Sequence, residues 1–231
     1  MSYFKQYRPT SNNRMPFVVL NLIILNVIFY VAKILAYNSQ KLDLGGLLGL
    51  YHPLSPDFHW FQFATSMFMH ASPSHIIFNM LGLWMFGHML ENVWGARRFL
   101  IFYLICGLGA SLIYLGWETW STVQFLNQYG DGWALLQEYP PQTPMVGASG
   151  AVYGLLMGAA LLFPNTEMHM MFMMGYPIKL KWLAIMYGAI EIYTGYQANA
   201  GDNVAHFAHI GGMIFGFILV QIYKRSRNNF Y

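Results

Sequence analysis

Four polar residues, one serine, one asparagine and two histidines, occur in apolar segments of this sequence. Ser149 lies in the stretch GASGAVYG, His209 lies in AHIGGMIFG, and His75 and Asn79 lie in HASPSHIIFNM. A hydroxyl group attacks at neutral pH only when a base removes its proton, and histidine, with an ordinary pKa of about 6.5, suits that task. We therefore expect Ser149 to be a nucleophile and His209 to be its general base.

The negative oxygen that forms in such an attack needs hydrogen-bond donors that are already in place. The backbone N–H of Ser149 and the side chains of His75 and Asn79 can supply them. The small residues Gly147 and Gly150 on either side of the serine leave room for the backbone of a substrate.

Tyr153 lies one helical turn after Ser149, where its ring can fix the imidazole of His209 by contact. We expect no acidic residue at the same depth to orient His209. Glu191, in the fifth predicted helix, is placed near the outer end of that helix, hydrogen-bonded to a neighbour. The sequence therefore predicts a Ser-His dyad and not a triad.

The composition shows what kind of element must hold these residues. Of the 231 residues, 56% are hydrophobic and 9% are charged, whereas soluble domains carry roughly 25% charged residues. This composition predicts an integral membrane protein, in which each helical crossing takes about 20 apolar residues. We predict one all-α domain over residues 1–231 with six transmembrane helices, at about 17–37, 73–91, 98–117, 145–163, 182–199 and 203–223.

Basic residues predict the orientation of these helices. Ten of the twelve lysines and arginines fall on one side of the membrane in this arrangement, and the positive-inside rule makes that side cytoplasmic, with both termini there. Lys33 and Lys41 remain, near the outer end of the first helix. The ten are Lys5, Arg8, Arg14, Arg97, Arg98, Lys179, Lys181, Lys224, Arg225 and Arg227.

This orientation also predicts why the four polar residues meet. The second, fourth and sixth helices all run from outside to inside, so their first turns lie at one depth. Ser149 is placed about five residues past Pro144, roughly 7 Å down the fourth helix at 1.5 Å per residue. His75 and His209 are placed at a similar level, a few ångströms below the outer surface.

Two outer connections are long. The first, about residues 38–72, is too apolar for a solvated loop and too broken by Gly and Pro for a spanning helix, so we expect it to be partly submerged in the membrane. The second, about 118–144, is rich in Trp and Tyr and is expected to lie at the membrane interface. The inner connection after Phe163 is expected to form a short, Met-rich interfacial segment.

Other interpretations remain open at this level. A serine among glycines at four-residue spacing is typical of close helix packing, and His206, one turn before His209, is an alternative base. His70, His75, His206 and His209 offer nitrogen ligands for zinc, although no HEXXH motif occurs. A transporter is disfavoured because the sequence shows no inverted repeat.

The motifs HASPSHIIFNM, ENVWGARRF, GASGAVYG and AHIGGMIFG closely resemble, in order and spacing, those of the rhomboid intramembrane serine proteases. The likeness covers about residues 60–223. It implies a six-helix rhomboid-like bundle in which Ser149 is the nucleophile, His209 the base, and His75 and Asn79 the oxyanion-stabilising pair.

The same resemblance implies supporting roles. Tyr153 matches the aromatic residue that stacks on the base, His70 matches a histidine that positions the first loop or its water, and Gly212 begins a GxxxG pattern that lets the sixth helix approach the fourth. The turn from Glu91 to Arg98 matches a structural element of the family. A Trp-Arg pair often found in the first loop is absent here, since Phe61 follows the tryptophan.

Together these features predict an intramembrane endopeptidase that cleaves transmembrane segments of protein substrates within the lipid bilayer. We expect no cofactor, no metal and no nucleic-acid partner, and the sequence does not indicate an oligomeric state. The predicted location is a prokaryotic plasma membrane, with the site opening to the extracytoplasmic side. The alternative is a catalytically inactive rhomboid-like protein that binds membrane clients.

Overall fold

A computed structural model describes residues 16–169, 176–197 and 205–228 of the chain. The basic residues at positions 5, 8 and 14, the predicted end of the 182–199 helix and the predicted start of the 203–223 helix lie outside these ranges. Helices dominate the described part. They are α1 (Phe17–Gln40), α2 (Leu44–Leu48), α3 (Gln62–Thr65), a 3-10 turn (Ser66–Phe68), α4 (Pro73–Leu126), α5 (Gly132–Glu138), α6 (Ser149–Leu162), α7 (Leu180–Gln197) and α8 (His206–Asn228).

Three of the described helices are long and apolar enough to cross a membrane by length and composition: α1, α4 and the segment His206–Arg225 of α8. The sequence predicts two separate helices at 73–91 and 98–117. The structure has two helices end to end within α4: Gly95 (φ 75°, ψ 166°) is not helical and separates them in the interval between the two predicted helices, and the second helix continues to Leu126. A residue without a side chain tolerates this positive φ, so the chain turns there without a loop.

Small residues let α8 approach α6 unusually closely. A Cβ atom added to Gly212 would lie 1.8 Å from the carbonyl oxygen of Gly150, and one added to Gly216 would lie 2.7 Å from that of Gly154. The two backbones therefore touch along a Gly-x-x-x-Gly stripe, which is a common way for membrane helices to pack without large side chains.

The core lies where α4, α6 and α8 meet, with α1 against α4 and α7 against α6 and α8. The start of α1 is fixed by the buried carboxylate of Glu91, which accepts hydrogen bonds from the backbone N–H groups of Val18 (2.9 Å) and Val19 (2.8 Å). A negative charge there also complements the positive end of the helix dipole.

The first long connection folds against the bundle. Its buried residues include Leu50, Met67, Met69 and His70. Leu50 forms an antiparallel bridge with Met145, which follows α5 in the chain. Irregular backbone at membrane depth must pack against protein or line a water-filled cavity. The observed packing is therefore compatible with the submerged position predicted for this segment.

The inner connection departs from the all-α prediction. Strands β1 (Glu167–His169) and β2 (Pro177–Lys179) pair antiparallel, with Met168 opposite Ile178. Strands of three residues leave almost no periodic signal in a Met-rich sequence, so the sequence does not indicate this ribbon. The predicted Met-rich segment at 170–175 lies outside the described residues.

Candidate active site

Ser149 is the first residue of α6, four positions later than the predicted helix start at residue 145. The preceding backbone is extended, because Met145 pairs with Leu50 and Gly147 adopts a φ of +128° that no helix contains. The serine therefore lies at the helix N-terminus. The predicted depth of roughly 7 Å had placed it in the second turn of the helix. Gly147 is held in this turn by a hydrogen bond from its N–H to the carbonyl oxygen of Ser66 (2.9 Å).

The side chains of Ser149 and His209 meet across the α6–α8 contact. Nε2 of His209 lies 2.8 Å from Oγ of Ser149, which is hydrogen-bond distance. His209 stands one turn before Gly212 on α8, so the close backbone approach at Gly212 brings the imidazole within reach of the serine. The two elements that position this pair are thus far apart in sequence and are joined by a glycine contact.

Tyr153 packs flat on the imidazole of His209. The ring centroids are 4.3 Å apart and the ring planes differ by 3°. This stack limits rotation of the histidine, and it lies one turn below Ser149 on α6, where the sequence places it.

His75 lies in the first turn of α4, whose N-cap is Ser72; the serine Oγ accepts the N–H of His75 at 3.2 Å. Nδ1 of His75 lies 3.3 Å from the backbone N–H of Ala71 and accepts it. Because Nδ1 acts as the acceptor, the proton of a neutral ring is on Nε2. A Cβ added to Gly147 would lie 2.8 Å from that Nε2, so the ring packs directly against the turn before Ser149.

Two further predicted residues accompany His75. The buried amide of Asn79 donates from Nδ2 to the carbonyl oxygen of His75 (2.9 Å). His70 is fully buried, and its ring meets the ring of His75 edge-on, with centroids 5.0 Å apart. Burial, followed by the charge of His75, lowers the pKa of His70 to about 4. Its carbonyl oxygen accepts a hydrogen bond from Nζ of Lys33 (2.8 Å), which ties the loop to α1.

The N-terminus of α6 carries no side-chain cap, and its N-cap position is Ala148. The first N–H groups of a helix have no partner within the helix, and the helix dipole gives them a partial positive charge. A cavity of about 10 Å³ adjoins them, lined by Ser149, Gly150 and Gly147 among others, and this volume suits about one water molecule. Donors of this kind can bind a small anionic oxygen beside the serine.

The prediction that no acidic residue lies at this level is wrong. The buried carboxylate of Glu191 on α7 places Oε1 3.0 Å from Nδ1 of His209 and Oε2 2.6 Å from Nδ1 of His206. The contact with His209 has ion-pair distance, although its ring N–H is not aligned on the oxygen as in a full hydrogen bond. The hydroxyl of Tyr153 also donates to Oε1.

Counting residues along α7 gives the level of Glu191. Glu191 lies six residues before Gln197, where α7 ends among the described residues, which corresponds to about 9 Å at 1.5 Å per residue. That is close to the depth predicted for Ser149, measured from the same side of the membrane. The sequence places Glu191 near the outer end of its helix but does not indicate which side chains it contacts.

His206, the alternative base, lies on the other side of the carboxylate. Its Nδ1 contacts Oε2 of Glu191 and lies 3.0 Å from Oγ1 of Thr194. Glu191, His206 and His209 offer ligand atoms within 4.8 Å of one another, a spacing at which a metal ion can bind. This group differs from the four histidines considered above, since it includes a carboxylate, and the same ligand atoms already face one another in hydrogen-bonding and ion-pair contacts.

This chain is similar to a known family and to several known proteins. The model of the Rhomboid domain matches residues 57–226. The chain is 29% identical over 92% of its length to RHOMBOID-like protein 12, mitochondrial, of Arabidopsis thaliana, and 28% identical over 89% to Rhomboid protease AarA of Providencia stuartii. It is 26% identical over 90% to Rhomboid protease GluP of Bacillus subtilis. The aligned region spans 60%, 72% and 34% of the length of these three relatives, respectively.

Proposed function

This chain belongs to the rhomboid family, and from that premise we propose that it is an intramembrane serine endopeptidase that cleaves transmembrane segments of membrane proteins with a Ser149–His209 pair. Its apolar helices and its family identify an integral membrane protein, and rhomboid proteases act on membrane-protein substrates within the bilayer. The observation that carries the assignment to these two residues is the 2.8 Å separation of Oγ of Ser149 and Nε2 of His209.

In the proposed reaction, Oγ of Ser149 attacks the scissile carbonyl carbon while Nε2 of His209 takes the hydroxyl proton. The tetrahedral intermediate collapses, the C–N bond breaks, and His209 returns the proton to the leaving amine. A water molecule then gives a proton to His209 and attacks the acyl carbon; the ester bond to Oγ breaks, His209 returns the proton to Oγ, and the acid product leaves. Each step uses the same proton site, so one histidine serves as base and as acid.

The oxyanion of this intermediate is proposed to bind three donors. They are the backbone N–H of Ser149 at the uncapped start of α6, the Nε2–H of His75, and the second amide hydrogen of Asn79. The protonation of Nε2 in His75 is supported by the contact of its Nδ1 with the N–H of Ala71. Oxyanion donors of this kind contribute about 10²- to 10³-fold each to the rate in serine proteases.

We propose that six segments cross the membrane, with α4 crossing twice about its break at Gly95. Contacts at one end of the bundle support the orientation: Tyr223 donates to the carbonyl oxygen of Arg98, and Nζ of Lys224 lies 3.5 Å from that of Leu161. Among the described residues, Arg98 and Lys224 therefore lie at the end away from Ser149. By the positive-inside rule this end is cytoplasmic and the site opens to the opposite side.

Substrates are proposed to be single helices that unwind near the cut. A regular helix hides its carbonyl groups in internal hydrogen bonds, so Gly, Pro or small polar residues near the scissile bond favour cleavage. The relatives compared above come from bacteria and from a plant mitochondrion, and they do not distinguish the host membrane. The prokaryotic plasma membrane stays a prediction from the sequence.

The test compares purified wild type with Ser149→Ala and His209→Ala on a single-span model substrate in lipid vesicles. Cleavage by the wild type and loss of cleavage in both variants, at unchanged thermal stability, is the expected result. A serine-reactive phosphonate probe should label the wild type at Ser149. Equal cleavage by all three proteins, or a wild type that neither cleaves nor reacts with the probe, would instead favour a protein that only binds membrane clients.

A further inference from the structure

Glu191 is a buried carboxylate that the dyad mechanism does not use. Only 5% of the residue is exposed, and it lies on α7, whereas its contacts come from α6 and α8. A buried charge is costly unless it is paired and hydrogen-bonded. Glu191 has such partners in Tyr153, His206 and His209, so three separate groups are arranged around its two oxygens.

The chemistry of a carboxylate restricts the protons on these partners. An ionised carboxylate only accepts hydrogen bonds, so a neutral imidazole that presents Nδ1 to it is favoured with the proton on that Nδ1. For His209, this leaves the lone pair on Nε2, the atom that lies 2.8 Å from the hydroxyl of Ser149. The protonation pattern set by Glu191 is therefore the one in which His209 can accept the serine proton.

We propose that Glu191 is a positioning residue that converts the pair into a Ser149–His209–Glu191 triad by holding His209 in its Nδ1–H form and stabilising the imidazolium that forms during attack. This inference rests on the proposed function. The stacked ring of Tyr153 fixes the plane of the imidazole, and the carboxylate fixes which nitrogen is free. The imperfect alignment of the His209 contact is common before substrate binds, because catalytic hydrogen bonds tighten in the substrate complex.

A purely structural role for Glu191 would have a different signature. By its contacts with α6 and α8, the carboxylate also attaches α7 to the bundle, so its loss could weaken packing. Loss of packing lowers thermal stability and disturbs substrate binding. Loss of histidine orientation lowers kcat and leaves KM unchanged, because the interaction acts in the transition state.

The test replaces Glu191 by Gln, which keeps the shape and one oxygen but supplies no charge. We expect kcat to fall by about 10²-fold or more with KM and thermal stability near wild type, as loss of a group that orients the base costs up to about 10⁴-fold in serine proteases. The rate of labelling of Ser149 by a phosphonate probe should fall in parallel, because it requires the same proton transfer.

Glu118→Gln is the matched control. Glu118 is a half-buried carboxylate on α4 that accepts the hydroxyl of Tyr114 (2.7 Å), a contact that includes no histidine. This variant loses a similar charge and should retain wild-type kcat and probe labelling. Should Glu191→Gln not fold, Glu191→Asp keeps the charge but withdraws it by one methylene group, and a kcat at least about 10-fold below wild type is then expected.

The outcomes separate this inference from the proposed function. A wild type whose cleavage depends on Ser149, together with a folded Glu191→Gln of unchanged kcat, overturns the triad and leaves the dyad. A rise in KM with a fall in thermal stability, at constant kcat, also overturns it and assigns Glu191 to packing. A wild type without Ser149-dependent cleavage overturns both.

Discussion

The contact between Gly212 and Gly150 makes a quantitative prediction about how the site is assembled. A Cβ at position 212 would lie 1.8 Å from the carbonyl oxygen of Gly150, whereas real Cβ atoms stay at least 3.0 Å from such atoms. In Gly212→Ala, α8 must therefore move away from α6 by about 1.2 Å, the difference between these two distances. The obstacle is backbone, so no side chain can rotate to relieve it.

This movement reaches the catalytic pair directly. His209 lies one turn before Gly212, and its Nε2 is 2.8 Å from Oγ of Ser149, so the added separation stretches that contact to about 4 Å, beyond hydrogen-bond range. A misplacement of 1 Å can cost about 10²-fold in rate. We expect kcat of Gly212→Ala to fall at least that far, and the free energy of unfolding to fall by about 1–3 kcal/mol from overpacking.

The assay measures cleavage of a single-span substrate and thermal unfolding of the same preparation. Gly116→Ala is the matched control, because Gly116 also lies in a helix but a Cβ there meets nothing within 4 Å. It should be neutral in activity and as stable as wild type or more so, by up to about 1 kcal/mol. Wild-type cleavage by Gly212→Ala, or an equal loss in Gly116→Ala, would refute the reasoning that this close approach positions the base.

Two further predictions concern stability. Glu91→Gln leaves one acceptor oxygen for the two N–H groups of Val18 and Val19, so the free energy of unfolding should fall by about 1–3 kcal/mol in a thermal or denaturant assay. Cleavage should be retained at temperatures or denaturant concentrations below the unfolding transition. An unchanged free energy of unfolding would contradict this pairing. The pKa of His70 is lowered to about 4 from its ordinary 6.5, so the unfolded chain takes up the proton first as pH drops from 6.5 toward 4, and the free energy of unfolding should fall by up to about 1.4 kcal/mol per pH unit. His70→Gln should reduce this dependence of the free energy of unfolding on pH. An equal dependence in both proteins would exclude His70 as its source.

Much of the site could be predicted from the sequence because its residues stand in short local motifs. Ser149 lies between Gly147 and Gly150, and small residues at this spacing favour close packing around the serine. His75 follows a Ser-Pro pair that begins a helix, and the observed N-cap is that serine. Such features depend on neighbours within about one helical turn, so propensity and capping suffice to infer them.

Helix ends and the inner ribbon were harder to predict. Helix α6 begins at Ser149 and not at the predicted residue 145, because Met145 pairs with Leu50, almost a hundred positions away in the chain. The break in α4 falls at Gly95, in the interval 92–97 between the two predicted helices, but the sequence pattern does not show that one residue with positive φ makes it. The β1–β2 ribbon is too short to carry a pattern of its own.

The sequence by itself determined the class of protein, its apolar helices, the gathering of basic residues toward one side and the identity of the nucleophile and base expected to meet. These follow from composition and local spacing, which act before the chain is folded. The tertiary structure decided the partners of Glu191. Its carboxylate on α7 contacts Tyr153 from α6 and two histidines from α8. Depth along separate helices gives only the level of a group in the membrane. The rotation and packing of the helices decide which side chains that group faces.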